Sequence, residues 1–275
     1  MNQTTVALMG AIAGMTIFLG LPVARLRGVT ARAQGFLNAI ATGVLLFLLV
    51  EILTHANEAV ESALGDLHRG VAMPFALLIA VYVIGLGVGL LGLVWFNRAF
   101  ARRLAGNRLE GPGAAVAAAA QPVPAARNLA LMIATGLGLH NFSEGLAIGQ
   151  SAAARALALT GLLVVRFALH NVTEGFGIAA PMASDVERPS WGFLGLAGLI
   201  GGGPTFLGAV VGFNVVSSWA FVLFLALAAG ALIYVINEMF GICRRLGRPP
   251  LVAGGLLLGF LLAFGTELFL TFAGG

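Results

Sequence analysis

The chain has 275 residues, 59% of them hydrophobic and 9% charged, with a mean hydropathy of +0.99. That balance excludes an ordinary soluble domain and describes a polytopic membrane protein. The formal charge of +4 comes from fifteen basic residues, all arginine, whose placement speaks of membrane topology and not of nucleic-acid binding. Cys243 stands alone, so neither an internal disulfide nor a CxxC metal site is available.

Eight apolar segments, each near the roughly 20 residues a helix needs to cross a bilayer, lie at 6-24, 35-54, 71-96, 128-150, 156-180, 191-214, 219-242 and 251-273. They are too long for barrel strands and show no alternation, so the expected fold class is all-α: a polytopic membrane protein of eight transmembrane helices. The start, Met1 to Thr5, has no basic run and no clear cleavage site follows the first apolar segment, which reads as a retained helix. The third connector, 98-127, combines Gly-Pro-Gly, an alanine run and Pro122/Pro124, the composition of a flexible loop. The whole of 1-275 is otherwise expected to form a single transmembrane domain.

Arginines set the orientation. Arg25, Arg27 and Arg32 fall in the first connector, Arg98, Arg102, Arg103, Arg108 and Arg127 in the third, Arg188 in the fifth, and Arg244, Arg245 and Arg248 in the seventh. Only Arg69 and Arg155 fall on the other side, so the odd connectors are expected in the cytoplasm, with both termini outside, in the cell (inner) membrane. Small residues at four-residue spacing, Gly10/Gly14, Gly85/Gly89, Gly198/Gly202 and Gly255/Gly259, predict close helix approach. Residues 41-51 also align without gaps on 228-238, from Ala-Thr-Gly and Ala-Ala-Gly to a terminal Glu51 and Glu238. Helices two and seven run in opposite directions under this topology, which suggests an inverted repeat of the kind secondary transporters use.

The chemistry is concentrated in the fourth and fifth segments. His140-Asn141-Phe142-Ser143-Glu144-Gly145 returns thirty positions later as His170-Asn171-Val172-Thr173-Glu174-Gly175. Ionisable groups at membrane depth are costly and mark functional sites. His140 and Glu144, like His170 and Glu174, are four apart, which puts each pair on one helical face with roughly 6 Å of rise between them. Asn141 and Asn171 add amide oxygens about 100° around each helix. This mixed set of imidazole nitrogen, carboxylate and amide oxygen suits borderline divalent metals, zinc first, with iron, manganese and cadmium open. The plainer alternative is hydrogen bonding that only fixes helix packing; a bound cation better offsets two buried carboxylates.

The paired motifs resemble those of the Zrt/Irt-like protein (ZIP) family of metal transporters, which typically read His-Asn-x-Pro-Glu-Gly, and Leu139 to Gly149 with Leu169 to Pro181 fit the surrounding pattern. The eight segments, outward termini and long third connector are similar too, so the likeness covers most of the chain and suits a divergent bacterial-type member. It implies a carrier that moves divalent metal toward the cytoplasm by alternating access, with the metal as substrate and no organic cofactor. It also implies a binuclear site between helices four and five. Partners would be the metal, the lipid bilayer and, left open, a second copy in a homodimer.

Three departures bear on that implication. Ser143 and Thr173 stand where the family has proline, and their hydroxyls can bond carbonyls of the preceding turn that would otherwise face a metal. Gly201-Gly202-Gly203-Pro204-Thr205 lacks the glutamate that many relatives carry before this proline, so one metal held by His140, Glu144, His170 and Glu174 is expected. Arg166 lies one turn before His170, where a fixed positive charge demands a partner such as Glu267 or Glu51; it is either a structural ion pair or a gate. Glu51, His55 and Glu58 share a face at the outer end of helix two and read as a metal pathway or a solvated helix end. Glu238 in helix seven reads as an exit-path position or a structural pair. Competing functions are an intramembrane metal-dependent hydrolase or a non-transporting metal sensor. The sequence has no His-Glu-x-x-His motif, no nucleophile-base pair beside Ser143 and no sizeable soluble domain, so an enzyme is not expected.

Overall fold

The computed structural model describes residues 1–26, 30–68, 72–106, 126–183, 188–215, 217–246 and 248–274. They form eight α-helices, named here α1 (Gln3–Met15), α2 (Ala31–His68), α3 (Ala72–Gly106), α4 (Ala126–Ala153), α5 (Leu157–Ala179), α6 (Trp191–Asn214), α7 (Ser218–Leu246) and α8 (Pro249–Gly274). No strand occurs among the described residues. Polar caps start several helices. Asn2 accepts from the Thr5 amide at 2.8 Å, Thr30 from Ala33 at 3.2 Å and Ser190 from Phe193 at 3.1 Å, each satisfying a first-turn N–H that has no intrahelical acceptor.

Among the described residues, six helices are long and apolar enough to cross a membrane: the first, from Gln3 through the 3-10 turns ending at Arg25, then α2, α3, α6, α7 and α8. The helices outside that set, α4 and α5, are the two whose centres carry the His-Asn-x-x-Glu-Gly motifs. Several boundaries differ from those predicted. The first apolar segment stays α-helical only to Met15 and continues as two 3-10 turns, Thr16–Leu19 and Leu21–Arg25. Pro22, at the start of the second turn, lacks the N–H that an α-helix would need there. Helix α2 runs on to His68, well past 54, because Asn57 to Leu67 contains no Gly-Pro break and is rich in Ala, Glu and Leu. At 38 residues it is about 57 Å long, so part of it must project beyond a hydrocarbon core of about 30 Å. Glu61 therefore belongs to the same helix as Glu58 and not to a connector. Helix α3 likewise reaches Gly106, and the rest of the connector expected to be flexible, 107–125, lies outside the described residues, as do Arg27, Arg69 and Arg108.

Glycines set the helix spacing. A Cβ on Gly14 would meet the Gly202 carbonyl, and one on Gly202 would meet the Gly14 carbonyl, so α1 and α6 touch through bare backbone. The motif glycines act alike: a Cβ on Gly145 would strike the Thr205 carbonyl of α6, and one on Gly175 the Ile17 carbonyl beside α1. The contact of Gly43 with the Leu256 carbonyl between α2 and α8 has its counterpart in Gly230 with Leu86 between α7 and α3. Gly89 against Leu227 is matched in the same way by Gly259 against Ile40. Such approaches exclude any side chain and favour association of helices in lipid.

The contacts divide the helices into two groups. In one, α4 packs chiefly on α6, and α1 lies on α6 and α5; in the other, α3 packs on α7, and α2 on α8 and α7. The seam between the groups runs mainly along α4 and α7. A contiguous core crosses it, including Leu45, Met132, Ile133, Ile178, Leu232 and Met239, all at most 2% exposed.

Candidate metal centre

Helices α4 and α5 present their motif faces to each other inside the first group. His140, His170 and Glu174 form a buried cluster whose ligand atoms all lie within 4.8 Å of one another, and the two imidazole centroids are 6.1 Å apart. Within α4, His140 Nε2 lies 3.4 Å from Glu144 Oε1; within α5, His170 Nε2 lies 3.6 Å from Glu174 Oε1. The four-residue spacing thus becomes two imidazole–carboxylate pairs, one on each helix. Glu144 approaches the cluster through His140 and also lines a cavity.

The cluster is rich in buried polar atoms without a partner. Glu174 Oε1, Glu144 Oε2, Asn141 Oδ1, His170 Nε2 and both ring nitrogens of His140 are buried without a hydrogen-bond partner. Buried polar atoms of this kind cost about 1–3 kcal/mol each when left unsatisfied. A divalent cation accepts several lone pairs at once, and nitrogen with carboxylate oxygen is the donor set of zinc and its borderline neighbours.

The asparagines hold this arrangement in place. Asn141 Nδ2 lies 2.7 Å from Asn171 Oδ1, 2.7 Å from Glu174 Oε2 and 3.0 Å from the Gly201 carbonyl of α6. Asn171 Nδ2 donates to the carbonyls of Ala13, at 3.1 Å, and Phe167, at 2.9 Å. Asn171 is thereby engaged at both ends of its amide and acts as a positioning residue, whereas Asn141 keeps an oxygen without a partner. Each motif asparagine ties its helix to a neighbouring backbone, Asn141 to α6 and Asn171 to α1, and the motif glycine one turn later admits that same neighbour. The carbonyls of Ala13 and Gly201 carry no signal in a sequence, since any residue type supplies one.

Ser143 Oγ donates to the His140 carbonyl at 2.6 Å and Thr173 Oγ1 to the His170 carbonyl at 2.7 Å. Both hydroxyls turn back onto the preceding turn and occupy the carbonyl of the motif histidine.

A cavity of about 160 Å³ adjoins the cluster and is lined in part by Glu51, His55, His140, Glu144 and Arg166. A wider one of about 670 Å³ shares Ala147, Leu163 and Phe221 with it and reaches Ala153 and Ala154 at the α4–α5 turn through Gln150 and Ser151. Both are ample for ordered water. Glu51 and His55 therefore belong with the site, but Glu58 is exposed and does not line the cavity. Glu238 is half-buried on α7 and does not line it either. Arg166 Nη2 is ion-paired with Glu51 Oε1 and, at 2.9 Å, with Glu267 Oε1. Gln150 and Phe221, which sequence reasoning passes over, are found only through the shape of the cavities, because neither carries a motif. No protein-family model matches this chain, and no curated protein matches it either.

Proposed function

We propose that the chain is a carrier, not an enzyme, that moves a divalent transition metal, zinc first, across a membrane toward the cytoplasm through the site between α4 and α5. The observation that carries this reading is the set of buried, unpartnered donor atoms on His140, Glu144, His170 and Glu174, which a cation would satisfy together. The motif resemblance to the ZIP family supports it, as does the setting of the site among six helices apolar enough to cross a membrane.

In this account α4 and α5 also cross the membrane, their polar faces shielded by the other six. Metal enters from the α4–α5 turn, passes the neck at Ala147, Leu163 and Phe221, and exchanges its water for His140, His170 and Glu174, with Glu144 completing the shell. The buried core around Met132, Ile133, Ile178 and Met239 closes the opposite side, which corresponds to an outward-facing state under the arginine-derived topology. The matched glycine contacts support an inverted repeat that exchanges α1 with α6, α2 with α7, α3 with α8 and α4 with α5. The inward-facing state is then reached when the group of α1, α4, α5 and α6 shifts against the other group. Reconstitution into vesicles loaded with a metal-sensitive dye tests the function. Saturable zinc influx, with iron, manganese and cadmium as competitors, is expected; zinc binding without influx, or hydrolysis of lipid or peptide without influx, would overturn it.

A further inference from the structure

Arg166 does more at this site than neutralise a buried acid. Its Nη2 alone receives two carboxylate oxygens, Glu51 Oε1 from α2 and Glu267 Oε1 from α8. Two carboxylates from different helices thus converge on a single point, as they would on a metal ion. The second oxygen of each, Glu51 Oε2 and Glu267 Oε2, is buried without a hydrogen-bond partner, so the guanidinium satisfies half of what the pair offers. His55 stands one turn along α2 from Glu51 and lines the same cavity. His55 Nδ1 lies 2.9 Å from the Glu51 carbonyl, which can only accept, so in the neutral ring that nitrogen carries the proton and Nε2 keeps its lone pair. A backbone carbonyl fixing the remote ring nitrogen is the usual way a metal-binding histidine is oriented. His55, Glu51 and Arg166 line the same cavity as His140 and Glu144, whose unpartnered nitrogens and Oε2 are at least nine-tenths buried.

We propose that Glu51 and Glu267 form a second binding position for a divalent cation beside His55, on the approach to the site between α4 and α5, and that the Arg166 guanidinium occupies it as a tethered substitute while no metal is present. The inference rests on the reading of the chain as a metal carrier. Arg166 lies four residues before His170, and His170 four before Glu174, so the guanidinium, imidazole and carboxylate form one file along α5. A metal ion arriving through the cavity competes with Arg166 for Glu51 and Glu267 and displaces it before reaching His140 and His170. The exchange also opens a latch, because Arg166 belongs to the helix group that holds the site whereas Glu51 and Glu267 belong to the other. Divalent charge lets an arriving ion compete transiently with the tethered guanidinium for two carboxylates whose outer oxygens are otherwise unmet.

The test is Cd²⁺ binding, counted by equilibrium dialysis and followed by titration calorimetry, on the full chain in lipid nanodiscs. Wild type is expected to hold about one tightly bound ion per chain, and Arg166→Gln about two, because the carboxylate pair is freed. The charge-balanced variant R166Q/E267Q, which leaves fewer unpaired buried charges and guards against misfolding, is expected to return to about one ion. Unchanged stoichiometry and affinity in Arg166→Gln, with the wild type binding one ion, would overturn the second position alone. A second ion that persists in R166Q/E267Q would place it elsewhere and overturn it equally. Wild type that binds no Cd²⁺ would instead remove the metal site on which the inference depends.

Discussion

Glu174→Gln separates a metal-binding carboxylate from a structural one. Glu174 is fully buried; its Oε2 accepts from Asn141 Nδ2 at 2.7 Å, while Oε1 has no hydrogen-bond partner and lies 3.6 Å from His170 Nε2. Glutamine has nearly the same shape, keeps an acceptor for Asn141 and gains an NH2 that can donate to His170. The metal-free protein therefore loses a buried, half-satisfied charge, a change worth about 1–3 kcal/mol in favour of the folded state. That corresponds to a rise of a few degrees in Tm at this chain length. The metal-loaded protein loses an anionic ligand, and zinc affinity should fall at least ~100-fold, about 2.7 kcal/mol. Stability and binding thus move in opposite directions, as expected where a functional group is strained in its resting state. Thermal unfolding in chelator, paired with zinc titration of the same nanodisc preparation, reads both. If Glu174→Gln lowers Tm in chelator and leaves zinc affinity intact, Glu174 is a packing residue and the reasoning fails.

Helix contact gives the next prediction: Gly145→Val and Gly175→Val should reduce the folded yield severely, since each new side chain meets carbonyl backbone of Thr205 or Ile17, whereas Gly203→Ala, with open space around it, should be stabilised by about 0.5–1 kcal/mol. Size-exclusion profiles and thermal midpoints compare them. Narrowing the neck with Ala147→Phe should cut zinc flux about tenfold or more while site affinity stays within about threefold, because the residue lines the approach and contributes no ligand; equal losses of flux and affinity would contradict that placement. Glu58→Gln and Glu238→Gln should leave flux within about twofold of wild type, as neither side chain lines the cavity, in contrast to Glu51→Gln.

Much of this arrangement is readable in the chain because membrane burial simplifies the signal. Long apolar runs give helices, and a polar residue inside one has few reasons to be there, so the four-residue spacing is enough to place His140 with Glu144, and His170 with Glu174, on one face of each helix. Gly10/Gly14 and Gly198/Gly202 similarly announce close helix approach, which the structure places between α1 and α6 at Gly14 and Gly202. What the spacing does not carry is the difference between a ligand and the group that aims it. Asn141 and Asn171 are equivalent in sequence, yet one keeps an unpartnered oxygen and the other spends both ends of its amide on Ala13, Phe167 and Asn141, a division set by which backbone carbonyls the neighbouring helices bring. Helix ends are poorly legible for a related reason. Beyond the hydrocarbon core, polar residues no longer argue against helix, so the acidic stretch after Glu51 looks like a connector but continues α2 to His68. The convergence of Glu51 and Glu267 on Arg166 needs three helices in place, and Glu267 alone in an apolar segment does not choose among partners.

Zinc influx into dye-loaded vesicles by wild type and by the Glu144→Ala/Glu174→Ala variant, matched for folded protein by size exclusion, tests the central claim most directly. The account predicts saturable influx for wild type and none above the empty-vesicle leak for the variant. Full influx in the variant would contradict it.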